Sequence, residues 1–350
     1  MNFPQNPSNI LVIRYGRLGD VVLMVSAIKA LRRCFPSAHL SVLVDQRYCQ
    51  ILEMCSAVNT VIPVDRIGMR DGTLLAGIGG IFRLAEAVRK AHYDLVLDFQ
   101  SFRETNLLAW YSRAKWRIGL KRKQPSYLPF CFNLDPILED KSQHVASVFS
   151  SLVSPFGNSQ QIDDFSLDLQ LKDIHLAELF LENHQLFQNA FLVGMNLGAG
   201  AIERIWPAER FARLADMIWK EFGAAVILFC GPQEEKYARR FSHIVGCSSY
   251  AVAQNLDLKT VAAIISRCQI LISNDSGPMH IGPAVGVPTL GLFSLGYPEH
   301  YRPLGKYSRF LKRTPVTSIQ IDEVFNQVRD MFFLLTGKRT MVPPKHNKIP

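Results

Sequence analysis

Short runs of apolar, often β-branched residues alternate along this chain with stretches whose apolar positions recur at helical spacing. Residues 9–14 (NILVIR) read as a buried strand. A glycine turn follows, Gly16-Arg17-Leu18-Gly19, and then a helical run from 20 to about 33. Similar apolar runs recur at 40–44, 58–64 and 95–99, with amphipathic stretches such as 82–91 between them. Strands alternating with helices predict βαβ units and a parallel sheet. Residues 113–170, with Pro125, Pro129, Pro136 and Pro155, read as connecting material plus one helix over 144–152.

The pattern then restarts. Residues 191–197 read as a strand that ends in a second glycine turn, Gly198-Ala199-Gly200. Pro207, a favoured residue at a helix start, opens a helix over 208–222. Further on, 224–230, 270–273 and 287–293 read as strands, and 234–245, 258–267 and 279–285 as helices. Two halves that each open with a strand and a glycine turn predict an α/β protein of two Rossmann-like domains facing a central cleft, with a linker near 172–190. A last helix over 321–335 ends at Gly337. The tail 338–350 has no apolar period and reads as disordered.

Length agrees with this division, since 350 residues make two domains at roughly 150 each. With 48% apolar and 20% charged residues, the chain is neither disordered, collagen-like nor a disulfide scaffold. Lys and Arg number 39 against 30 Asp and Glu, a net charge of +9. That excess suits an anionic partner without choosing among nucleic acid, phosphorylated metabolite and anionic lipid. Seven cysteines without a CxxC pair read as reduced thiols of a cytoplasmic protein, with neither a zinc knuckle nor a disulfide framework. The apolar run 10–13 stops at Arg14, so no signal peptide is expected, and no run reaches the ~18 apolar residues of a membrane span. Attachment to a membrane surface stays open.

Ligands of open α/β sheets bind outside the carboxyl ends of the strands, and three motifs fall there. In Gly16-Arg17-Leu18-Gly19-Asp20 the glycines admit a close ligand. The pattern is not GxGxxG, and only Asp45 comes near the acid that would close a second strand on a ribose, which disfavours NAD. Asp20 is either a helix cap or a carboxylate placed as general base. The second motif, Gly198-Ala199-Gly200 with Arg204, is either a phosphate cradle or an ordinary loop with a solvated cation; Trp206 reads as a packing residue. The third is Ser273-Asn274-Asp275-Ser276-Gly277-Pro278-Met279-His280. It offers backbone N–H groups for a diphosphate, against a reading of Asp275 and Ser276 as plain caps and of His280 as a packing residue.

These residues together resemble glycosyltransferase family 9, the lipopolysaccharide heptosyltransferases. The resemblance rests on GRLGD after the first strand, then RIWP, GPQEE and SNDSGPMHIGPAVGVPTLGLF, and runs from about 10 to 304. It implies a GT-B fold, with an acceptor domain over 1–175, a nucleotide-sugar domain over 185–320 and a closing helix over 321–336. It further implies inverting transfer of a heptose from ADP-heptose to the lipopolysaccharide inner core, with no cofactor and no bound metal. Asp20 matches the family's base, Arg204 its phosphate-gripping Lys and Glu234 its ribose-binding Glu. Asp275, Ser276 and Gly277 match its sugar- and diphosphate-binding turn, and His280 its His. Gly198, Ala199 and Gly200 complete the donor side. Asn196-Leu197 stands where members often carry His-Pro, and Ser101 where they carry Gly.

The acceptor implied by the resemblance is an anionic glycolipid in the inner leaflet. That gives a partner to the basic stretch 113–123, which holds Arg113, Lys115, Arg117, Lys121, Arg122 and Lys123 and no acid. Trp110, Tyr111 and Trp116 accompany it, and such rings suit a membrane interface; a solvated loop is the plainer reading. Gly19, Arg103, Lys121, Arg122 and Lys123 are the expected acceptor-side residues. The expected place is cytoplasmic, with peripheral attachment to the inner membrane. Nucleic acid is not an expected partner, because the aromatics and cations form no recognisable binding motif. Other readings are transfer from another nucleotide sugar to a surface polysaccharide, a noncatalytic nucleotide-sugar sensor, and an epimerase of the same fold.

Overall fold

The computed structural model describes residues 6–71, 74–122, 126–157, 162, 164–186, 191–247 and 249–337. The chain forms two compact units, Met1–Asp168 and Leu169–Pro350.

The N-terminal unit is built on six parallel strands: β1 Asn9–Ile13, β2 His39–Asp45, β3 Thr60–Val64, β4 Leu95–Asp98, β5 Trp116–Lys121 and β6 Ile137–Leu138. Their order is β3-β2-β1-β4-β5-β6. The central strands are covered on both faces, so Ile10–Ile13 and 95–97 are apolar without alternation and fully buried, as a parallel sheet requires. The order reverses between β1 and β4, where Ile13 lies beside Asp98. Ligand sites of such sheets form at this switch point.

The C-terminal unit repeats the plan with β7 Leu192–Asn196, β8 Ala225–Cys230, β9 Tyr250–Gln254, β10 Ile270–Asn274, β11 Thr289–Phe293 and β12 Arg309–Lys312. Its order, β12-β11-β10-β7-β8-β9, is the same topology with its switch point between β7 and β10. The helix Ala208–Phe222 buries Phe211, Leu214, Ala215, Ile218 and Phe222, a single stripe at helical spacing, and stops where Gly223 takes φ +62°. The closing helix Ile321–Thr336 packs on it, with Phe332 stacked at 4.3 Å on Phe222.

Several expectations are corrected. Residues 113–170 are not merely connecting: β5 and β6 lie there. Only two apolar residues, Ile118 and Leu120, lie between Arg117 and Lys121 in β5, so its cations hid it. The stretch 172–190 holds the helix Leu171–Asn183, packed on the helix Leu258–Ser266 of its own unit. The helical run after β1 is two helices, Leu18–Leu23 and Val25–Cys34, separated by Met24. Lys123 and the tail 338–350 lie outside the described residues.

Candidate functional site

At the switch point of the N-terminal unit, Asp20 stands in the first turn of the helix Leu18–Leu23, with half-buried Gly19 before it. Asp20 is not a cap: the cap position belongs to Arg17, and no side chain caps this helix. Asp20 Oδ2 instead meets Arg14 Nη2 at 2.5 Å, and both side chains are buried. Arg14 Nη1 donates to the Phe99 carbonyl at 3.1 Å, and its guanidinium lies 5.2 Å from the centre of the Phe149 ring. Asp98, fully buried at the end of β4, accepts from the N–H groups of Gln100 and Ser101 and from Asn106 Nδ2. Burial outweighs these donors and raises its carboxyl to about 6.

Buried polar atoms without partners gather at this end of the sheet. Among the described residues, Arg14 Nε, Asp20 Oδ1, Gln100 Oε1, Arg122 Nε and Ser126 Oγ make no hydrogen bond. They come from the segments after β1, β4 and β5. Each such group costs about 1–3 kcal/mol unless something pairs with it. Their concentration at the switch point marks a place for a polar ligand. Arg122 is therefore not the free surface cation that the basic-stretch reading expects. It is largely buried, 3.4 Å from Glu139 and over the Phe102 ring, and feels the charges of Arg14, Asp20 and Asp98. Lys121 is exposed at the end of β5, and exposed Arg103 opens the helix Arg103–Tyr111.

The stretch 113–123 is thus split by β5. Arg113, Lys115 and Arg117 lie at the amino end of the strand, roughly 13–30 Å of extended chain from Lys121 and Arg122. Asp45, at the end of β2, is gripped by Arg47 through both oxygens at 2.9 and 2.7 Å. That hold keeps its carboxyl below the usual range and leaves both its oxygens already engaged.

The switch point of the C-terminal unit joins the other two motifs. Asn196, buried at the end of β7, donates to the Gly198 carbonyl and to the hydroxyls of Ser273 and Ser276 at 2.9–3.1 Å. Asn274 donates to the Leu197 carbonyl and accepts from the Trp206 N–H. The two turns are thereby tied edge to edge. Arg204 Nη1 reaches Asp275 Oδ2 at 3.2 Å. Neither Asp275 nor Ser276 caps the next helix, Pro278–Ala284, on which His280 is buried. Trp206 is fully buried and donates to the Ile319 carbonyl, so it packs the core.

Glu234 lies over the same turn. A Cβ added at Gly198 would stand 2.9 Å from its carboxyl carbon, and one at Gly231 would strike its Oε2. Glycine is needed at both places for the carboxylate to sit there. At Gly200 the space is open. The N–H groups of Asp275, Met279 and His280 are taken by the carbonyls of Leu292, Ser276 and Gly277. Those of Gly198, Ala199, Gly200, Ser276 and Gly277 have no partner among the described residues. The result is a rim of free donors beside one Arg and one Glu, a set suited to a diphosphate and a ribose.

The structure therefore brings Gly198, Ala199, Gly200, Arg204, Glu234, Asp275, Ser276, Gly277 and His280 to one end of one sheet. Arg14, Gln100, Asn196 and Asn274 were not singled out as site residues by sequence reasoning. The signal for Arg14 was present: a charged residue directly follows the four buried apolar residues Ile10–Ile13 of β1. No group of three or more His, Cys, Asp or Glu able to hold a metal occurs among the described residues. Likewise none of the described helices is long and apolar enough to cross a membrane.

Comparisons with known proteins identify the family and the fold. The profile of the family described as Glycosyltransferase family 9 (heptosyltransferase) matches residues 81–319. The lipopolysaccharide core heptosyltransferase OpsX of Haemophilus influenzae is 22% identical, over 86% of this chain and 83% of that protein. A family 9 glycosyltransferase structure from Veillonella parvula superposes with a TM-score of 0.83 at 24% identity, covering 94% of this chain and 98% of that one. The ADP-heptose lipopolysaccharide heptosyltransferase II of E. coli superposes with a TM-score of 0.78 at 18% identity, covering 93% and 99%. The fold is that of these two-domain α/β proteins, the GT-B class.

Proposed function

Because this chain belongs to glycosyltransferase family 9, the heptosyltransferases, and is thus a glycosyltransferase, we propose that it moves a heptose from ADP-heptose to the lipopolysaccharide inner core. The acceptor is assigned to the N-terminal unit and the nucleotide sugar to the C-terminal unit. One observation carries the assignment of roles. Asp20 holds one carboxylate oxygen against Arg14 and leaves the other, Oδ1, buried without a donor among the described residues. A buried acceptor atom fixed in this way is ready for the hydroxyl proton of an incoming sugar.

In the proposed reaction, Asp20 Oδ1 takes that proton as the acceptor oxygen bonds to the anomeric carbon. The bond from that carbon to the ADP oxygen breaks on the opposite face, so configuration inverts and ADP leaves with the electron pair. Arg204 and the free N–H groups of Ser276 and Gly277 meet the charge that develops on the diphosphate, without a metal ion. Preplaced donors of this kind contribute about 2.7–4 kcal/mol each to transition-state stabilisation in a water-excluded site. Asp275 holds Arg204 toward the turn and offers its carboxylate to the sugar hydroxyls, with His280 behind it. Glu234 accepts from the ribose hydroxyls, as acids after the second strand of such sheets do.

On the acceptor side, Arg122 and Gln100 carry the unpaired donor and acceptor that an anionic sugar would satisfy. Arg103 places a cation at a helix start, where the helix dipole is already positive; this costs about 0.3–1 kcal/mol of helix stability and strengthens an anion site. Gly19 allows close approach beside Asp20, and Lys121 adds an exposed charge. The protein acts in the cytoplasm at the inner leaflet, where its glycolipid acceptor lies.

The test is to supply ADP-heptose with and without an inner-core acceptor and to follow ADP. Release that depends on the acceptor is expected. ADP-heptose at ~100 times its dissociation constant should also add ~2.7 kcal/mol of stability. The reading would be overturned if ADP-heptose were neither consumed nor able to stabilise the protein.

A further inference from the structure

A cavity of about 330 Å³ in the N-terminal unit is lined by Arg89, Trp110, Tyr111, Arg113 and Arg117. It lies at the amino end of β5, the opposite end of the sheet from Asp20. The residues come from separate segments: the last turn of the helix Leu74–Lys90, the last turn of the helix Arg103–Tyr111, the link after it, and β5.

Arg117 is held in place, because its Nε donates to the Cys131 carbonyl at 2.8 Å and its Nη1 to the Ala114 carbonyl. Its Nη2 makes no hydrogen bond among the described residues. Arg89 stands over the Tyr111 ring at 5.1 Å. The Arg113 side chain is exposed and has no hydrogen-bond or ion-pair partner among the described residues. Its backbone takes φ +57°, a conformation usually left to glycine or asparagine at a helix end.

The charge at the cavity exceeds what the helix ends require. Each of the two helix C-termini contributes about half a negative charge, against three guanidinium charges. Glu86, which accepts from the Tyr111 hydroxyl at 3.2 Å, is itself paired with Lys90 at 3.2 Å. A surplus of about two positive charges remains. Beside it, Trp110 and Phe130 meet edge to face at 6.4 Å and are 50% and 62% exposed. Leu107, on the same face of the helix as Trp110, is 45% exposed. Exposed rings next to arginines suit a surface that is polar at the headgroups and apolar beneath.

We propose that this cavity takes the phosphate of an anionic phospholipid headgroup, with Trp110 and Phe130 lying in the headgroup layer beside it. The choice of a membrane as partner rests on the glycolipid acceptor proposed above. The helix Arg103–Tyr111 is about 13 Å long and runs from the Asp20 end of the sheet to the cavity. A membrane lying along its outer face therefore meets the cavity at one end and leads to the acceptor groups at the other.

The experiment is sedimentation with vesicles of phosphatidylglycerol and phosphatidylcholine, against pure phosphatidylcholine, with neither donor nor acceptor present. Binding to the anionic vesicles alone, weakening with salt, is expected. The Arg89→Gln/Arg113→Gln protein should bind about thirtyfold more weakly, each charge near an anionic surface being worth about fivefold. Trp110→Ser should also weaken it. Arg113→Gln alone, at an exposed position, repeats the test if the double variant unfolds. Transfer to a soluble, delipidated acceptor should be unchanged in these variants. Equal sedimentation of variants and wild type overturns the proposal, and so does binding of soluble glycerol phosphate without vesicle binding. Since the vesicle assay contains no reactants, its failure leaves the transfer reading standing, and a failure of transfer leaves the vesicle result standing.

Discussion

Arg14 and Asp20 form a buried ion pair across the first glycine turn, with 2.5 Å between Nη2 and Oδ2. Arg14 closes β1, and the Phe99 carbonyl and the Phe149 ring hold it in place. It therefore fixes the Asp20 carboxylate with one oxygen bound and the other open. Removing one partner of a buried pair typically costs about 3–5 kcal/mol.

Arg14→Gln should accordingly lower the unfolding free energy by roughly that amount and reduce kcat, while the affinity for ADP stays the same. Arg14→Lys keeps the charge and should recover part of both losses. Denaturant unfolding, steady-state kinetics and ADP titration read these separately. An Arg14→Gln protein with undiminished kcat would show that the pair serves the fold alone.

On the donor side, Arg204→Ala should weaken ADP binding by about 1.5–3 kcal/mol, the range for a hydrogen bond to a charged group. Adenosine, which lacks the diphosphate, should bind as before. Ser276→Pro removes one of the free N–H donors and should act in the same direction. Transfer should also survive EDTA, because Arg204 and the backbone donors carry the charge role. Calorimetric titration with ADP and adenosine decides the first point: equal affinities of wild type and Arg204→Ala for both would place the diphosphate elsewhere.

The repeated strand–turn–helix plan was legible because buried parallel strands are unbroken apolar runs, as in Ile10–Ile13 and Ala225–Cys230. β12 was missed because it is a short, half-exposed edge strand with a cation at each end. The three motif turns were visible because glycines and small polar residues interrupt apolar runs there. The groups that hold those turns were not visible. Arg14 and Asp20 are six residues apart, but Asn196 and Ser276 are eighty apart, and only the folded sheet brings such a pair together. Ser101 illustrates the same limit. It stands where the resemblance expects glycine and takes φ +48°. Its hydroxyl donates to the Asp98 carbonyl and accepts from the Leu120 N–H, which offsets a backbone cost of roughly 1–2 kcal/mol.

Asp98 gives a pH signature. Its carboxyl titrates near 6 in the folded protein because it is buried. In the unfolded chain it returns to about 3.9. Between those values the folded state binds the extra proton, so this residue's contribution to stability falls as the pH rises through about 4 to 6 and is level above. The change is on the order of 1–3 kcal/mol. Urea unfolding of wild type and Asp98→Asn at several pH values checks it. The difference between the two proteins should vary across that window and be constant above pH 7. A constant difference throughout would contradict the assignment.

The central claim is that Asp20 removes the acceptor proton. Its direct measurement is single-turnover transfer by Asp20→Asn, with ADP-heptose and an inner-core acceptor, alongside the affinity for ADP. The amide keeps the shape but cannot take the proton. The rate should fall by about 10²–10⁴, the usual worth of a positioned general base, with ADP affinity unchanged. Transfer by Asp20→Asn within a few-fold of wild type would contradict the claim and leave Asp20 as the buried counter-ion of Arg14.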